Sequence, residues 1–229
     1  MAVTPRLAKS SADHLPIEER VQLEFENNDR SCEVGLPGLL EHARRHSRSW
    51  VWRGKSAENK ALNAELKKTV NLLLSIRRDC VKGEGTRGLP DSLYRMLLRG
   101  RLLLQATALD VQDSLRGMAP LAQVSVGTGQ SLPRSYVAAR SYLAATNLEF
   151  EEVSFRNYME VVQESGAFQM AEIWLLSPML QLELLNNLGE RVQRARETHE
   201  TGGEEQIEKI FTVLDRVRKA AWKTTFRSL

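Results

Sequence analysis

Apolar residues recur at three- and four-residue intervals along most of this chain. The clearest run is Leu62, Leu66, Val70, Leu73, Leu74 and Ile76. That one-sided stripe predicts an amphipathic helix from Ala57 to Val81, with Ser56 as its N-cap. Upstream, Pro37-Gly38 opens a helix through GLLEHARRHSRSW that Gly54 ends. Leu89-Pro90-Asp91 opens a long helix carrying Leu93, Leu97, Leu98, Leu102, Leu104, Leu109 and Leu115, with Gly100 inside it. Val124 to Gln130 has strand-like letters but is cut by glycines, so it reads as a connector. Ser131 caps the next helix, with Pro133 in its first turn and Asn147 at its end. Phe155, Met159 and Val162 mark a short helix closed by Ser165-Gly166. Gln169 to Glu197 is a longer helix. Pro178 removes its bond to the Trp174 carbonyl, which predicts a kink there. Glu204 to Phe226 is the last helix.

Sustained β-type alternation is missing from this reading. The expected fold is all-α, an irregular bundle of about six to eight helices. Residues 1–36 read as a mobile arm. Residues 37–116 form a basic helical pair plus a long helix, and residues 131–229 a second bundle. The two read as one continuous domain over 37–229. The expected core contacts are Tyr136, Leu143, Phe155, Met159, Trp174, Leu180 and Leu184. Repeats of fixed period are not found, so a solenoid is not supported.

Composition changes this picture in two places. The formal net charge is only +3, too small to imply nucleic acid by itself. Its distribution is uneven: Glu41–Cys80 holds ten basic residues against four acidic ones, and Glu149–Glu172 holds six acidic against one basic. The two stretches can attract each other, within the fold or between copies, or simply form two solvated faces. Cys32 and Cys80 are the only cysteines. Their separation fits a reduced cytosolic setting. The N-terminus has no apolar core of a secretory signal, and no apolar run is long enough to span a membrane.

Several candidate motifs fail on context. Gly83-Glu84-Gly85-Thr86-Arg87-Gly88 spells a dinucleotide fingerprint. It follows a helix rather than a strand, so it reads as a loop. His42 and His46 share a helix face, but Arg44 and Arg45 between them would repel a metal, and His14 and His199 offer no clear third ligand. The expectation is no cofactor, no metal and no catalytic residue, with the chain by itself not an enzyme.

Two constellations remain. Arg44, Arg45, Arg48, Trp50, Trp52, Arg53 and Lys55 interleave cations with aromatics. That mixture suits a lipid or partner-protein surface and, less well, nucleic acid. It equally suits tryptophans packed under neighbouring helices with the arginines in water. Glu172 sits in an apolar helix, where a carboxylate needs a cationic partner; Arg134 and Arg140 are the candidates.

The stretch from Leu132 to Glu190 resembles the helical N-terminal region of bacterial cyclic β-1,2-glucan synthases. The matching residues are Leu132, Pro133, Arg134, Tyr136, Ala145, Thr146, Phe150, Glu172, Trp174, Pro178, Leu180, Leu184 and Leu185. Trp222, Phe226, Ser228 and Leu229 also fall in register, while Ala221 and Arg227 depart from the pattern. The resemblance implies a cytoplasmic accessory domain at the inner face of the membrane. Its partner would be the remainder of a synthase, in the same chain or a neighbouring protein. Those full-length proteins are glycosyltransferases that polymerise glucose from UDP-glucose. Their catalytic residues lie elsewhere, so none carries over to this chain. The alternative expectation is an independent helical adaptor that binds a protein or an anionic surface through Arg44–Lys55.

Overall fold

The structure is a computed structural model that describes residues 35–56, 60–81, 89–116, 120–126, 130–198, 203–220 and 222. Three quarters of these residues are helical (75%), and the fold is broadly all-α. In chain order the elements are α1 (Leu36–Arg48), β1 (Trp50–Ser56), α2 (Lys60–Val81), α3 (Asp91–Arg99) and α4 (Arg101–Leu115). There follow β2 (Leu121–Val126), β3 (Leu132–Pro133), α5 (Arg134–Ala145), α6 (Glu152–Gln163), α7 (Met170–Trp174), α8 (Leu176–Thr198) and α9 (Glu204–Lys219). The residues from Gly35 onward form one compact unit. Residues 1–34 of the N-terminal arm and the Gly83–Gly88 motif lie outside the described residues, and Leu36 already belongs to α1.

The core is built around α8. Leu176, Met179, Leu180, Leu182, Leu184, Leu185, Leu188 and Val192 are all fully buried. A helix that is apolar on nearly every side must be enclosed, and α2, α4, α5 and α9 all pack on α8. Tyr142 joins a second aromatic cluster, with ring centroids 4.9 Å from Phe155 and 5.4 Å from Tyr158. Buried aromatic surface of this kind stabilises through area and edge-on geometry together.

The structure corrects the sequence reading in five places. Trp50–Ser56 leaves the first helix and forms a strand. Leu121–Val126 is also a strand and not a connector. It is the central strand of a three-stranded antiparallel sheet, ordered β1-β2-β3. Pairing between strands so far apart in sequence overrides weak local signals. Pro133 closes β3 opposite Gln123 and is itself the N-cap of α5, so Ser131 does not cap it. The long helix divides at Gly100. A Cβ there would overlap the Phe211 ring, so glycine allows α9 to come close. The helix predicted from Gln169 breaks at Leu175 instead of bending at Pro178. The missing proline N–H leaves the carbonyl of Trp174 without its helical partner, and the chain restarts one turn earlier.

Candidate functional site

Arg134 is the first residue of α5 and is only 3% exposed. A cation at a helix N-terminus opposes the helix dipole and needs compensation. Glu172 supplies it, at 1% exposure. Arg134 Nε donates to Glu172 Oε1 and Nη2 donates to Oε2, both at 2.6 Å. Nη1 donates to the Gly166 carbonyl at 3.1 Å and Nη2 to the Ala167 carbonyl at 2.6 Å. Such two-pronged, charge-assisted pairing fixes orientation as well as energy. Glu172 also accepts the Gln169 N–H at 2.8 Å, completing a capping box that starts α7. One ion pair therefore ties α5 to the loop before α7 and to α7 itself. Arg140, the other candidate partner, lies 3.8 Å from Glu183 instead, with its side chain half exposed.

The guanidinium has aromatic neighbours too. Its central carbon lies 4.2 Å from the Phe168 ring centroid and 5.1 Å from that of Trp52. Phe168 is buried, but Trp52 is 48% exposed. Trp52 thus offers a large apolar surface to solvent while its ring is anchored on a buried cation. The sequence reading put the Trp52 indole under neighbouring helices or on a binding surface, and the structure places it at the surface.

The rest of the basic segment divides in the same way. Trp50 is buried, and its indole N–H donates to His46 Nδ1 at 3.3 Å. Arg44 pairs with Glu164 at 3.5 Å, so the basic and acidic stretches do meet, between α1 and α6. Arg53 Nε donates to the Ser125 hydroxyl at 3.0 Å. Arg45, Arg48 and Lys55 are exposed. Among the described residues no acidic side chain pairs with these three. The exposed set is therefore Arg45, Arg48, Val51, Trp52, Arg53 and Lys55, from the end of α1 and along β1.

His42 and His46 stack with their centroids 5.9 Å apart. His42 Nε2 bonds the Ser141 hydroxyl at 2.9 Å, and the Tyr158 hydroxyl donates to the same oxygen at 2.9 Å. Burial and then the neighbouring His42 push the His46 pKa down to about 4. Burial and then Arg45 lower that of His42. Both imidazoles are thus held neutral as packing groups. Among the described residues no cluster of three or more His, Cys, Asp or Glu could hold a metal.

A further polar cluster was not anticipated from the sequence. The Tyr136 hydroxyl lies 2.8 Å from Glu183 Oε2 and 3.1 Å from Glu65 Oε2, and Asn186 Nδ2 donates to it at 3.3 Å. Burial raises the Glu183 carboxyl pKa, opposed by Arg140 and by the Tyr136 bond. Its one legible signal was Glu183 in the apolar α8. Trp174, expected in the core, is 61% exposed. Glu172 and Ile173 take the inward positions of α7 and turn Trp174 outward.

Comparison of the chain with protein-family profiles, with curated proteins and with solved structures returns no match. Among the described residues no helix is long and apolar enough to cross a membrane.

Proposed function

We propose that this chain is a binding module for an anionic partner, with the segment from Arg44 to Lys55 as its working surface. The observation that carries this reading is the setting of Trp52. Its ring is half exposed and held by Arg134, whose own charge is fully committed to Glu172. An exposed, pre-positioned tryptophan beside exposed cations has the composition of an interaction hot spot. The buried Arg134–Glu172 pair and the Tyr136–Glu183 cluster, by contrast, are occupied with their own partners. Titration of the purified chain with an acidic peptide, with phosphatidylserine vesicles and with an RNA oligomer tests the reading. Saturable binding to one of them, weakening as salt rises, is expected. No binding to any of the three at low salt defeats it.

The resemblance to cyclic β-1,2-glucan synthases supports a second reading, that of an accessory domain of such a synthase. What favours it is that the matching residues Arg134, Tyr136, Glu172, Leu180 and Leu184 all hold buried positions. Adding the purified chain to membranes that make cyclic glucan from UDP-glucose should change the rate or the ring size. An unchanged product, with no co-sedimentation, defeats this reading.

A further inference from the structure

We infer that β1 is an acceptor strand: an extended acidic segment of a partner protein adds to its free edge. The inference rests on the binding-module reading and names the partner's chemistry and its mode of docking.

Among the described residues β1 pairs with β2 alone, and no protein group bonds the other edge between Val51 and Lys55. An unpaired edge presents a row of N–H and C=O groups that a further strand can satisfy. One face of β1 is open and the other is half covered where the Trp52 ring rests on Arg134. All five residues from Val51 to Lys55 are exposed, although side chains alternate between faces. Val51, 45% exposed, lies on one face and Trp52 on the other. A strand added here gains main-chain bonds along the edge and an aromatic contact at Trp52.

Charge selects among occupants. Arg48, Arg53 and Lys55 line the strand and the helix end that precedes it, and Arg45 lies one turn back in α1. A second copy of the chain, paired β1 to β1, would set these cations against one another, and like charges across strands destabilise. An acidic segment places carboxylates where the cations are. A bilayer or a nucleic acid would satisfy the charges but would leave the strand edge unused. The register shift between Trp52 and Gly54 bends β1, with Gly54 at φ +89°. The bend keeps the added strand to a short segment within Val51–Lys55, with its acids reaching toward Arg48 and Lys55.

The test uses the full chain, labelled with 15N, and three probes. One is a ten-residue peptide alternating Glu with Thr and Val; the second is the same peptide N-methylated at alternate residues; the third is a phosphatidylserine vesicle. The unmodified peptide should bind saturably and shift the amides of residues 50–55. N-methylation should weaken it at least about tenfold, because it removes strand bonds and keeps the charge. Trp52→Ala, with its helical circular dichroism unchanged, should weaken it by at least about tenfold as well. Lys55→Glu gives a second variant, away from the Arg134 contact, and should also weaken binding. Equal binding of both peptides overturns strand addition and leaves the anionic-partner reading standing. Binding to the vesicle alone does the same. Binding to neither peptide nor vesicle removes the inference, and the RNA titration then decides the broader reading.

Discussion

Arg134 and Glu172 form a fully buried, two-pronged ion pair, with both N–O distances at 2.6 Å. The pair starts α5, caps α7 and anchors the Trp52 ring. Its removal should therefore be felt both in stability and at the surface. Glu172→Gln leaves the Arg134 charge buried without a counter-ion. A loss of about 3 kcal/mol is expected, since breaking one side of a buried pair strands the other. Urea unfolding followed by circular dichroism measures it, and an unchanged midpoint would remove the pair's structural role.

Gly100 and Phe211 make a second, separable prediction. Gly100→Ala puts a methyl group into the Phe211 ring. The expected cost is about 1–3 kcal/mol from overpacking. Phe211→Leu in the same chain should recover part of that loss, because the two residues are in contact and their effects do not add. A double-mutant cycle with no coupling would contradict the packing described.

The histidine stack sets an acid limit. His46 has its pKa lowered from 6.5 to about 4, so the fold favours the neutral ring. Its contribution is complete above pH 6.5. It declines as pH falls toward 4, where the unfolded chain binds the proton first. The loss is on the order of 3 kcal/mol at most. The His46→Gln variant, compared with the parent at each pH, should show a stability difference that shrinks between pH 6.5 and 4. A difference that stays flat would place His46 in water.

Glu183 works in the opposite direction. Its pKa is raised from 4.5, chiefly by burial. Stability from the protonated form is full below pH 4.5 and is lost as pH rises through the folded value. Glu183→Gln keeps the shape without the charge. It should gain on the parent as pH rises from 4.5 toward neutrality, read as the difference in thermal midpoint. A variant that loses ground over that range would mean that Arg140 and Tyr136 outweigh burial.

The helices were legible because a period of 3.6 is a local signal that repeats over many turns. The apolar stripes of α2 and α9 show it plainly. The Arg134–Glu172 pair was legible in part, since a carboxylate in an apolar helix demands a cation, but sequence could not choose between Arg134 and Arg140. The sheet was hidden. β1 reads WVWRGKS and β2 LAQVSV, both short, and Arg53 meets Ser125 at a sequence separation of 72. Pairing at that range leaves no mark in a local window. The Tyr136 cluster was missed for the same reason, since Glu65 and Glu183 come from helices distant in sequence. Trp174 was misplaced because a short helix capped by Glu172 fixes its own register, and apolar character alone says nothing about that.

The central claim is that the surface from Arg44 to Lys55 binds an acidic partner. The most direct measurement is calorimetric titration of the Arg45→Glu, Arg48→Glu, Lys55→Glu triple variant beside the parent chain, with the acidic peptide as ligand. All three side chains are exposed, so the fold should survive the change. The parent chain should bind saturably and the variant not at all. Equal affinity for both would contradict that claim.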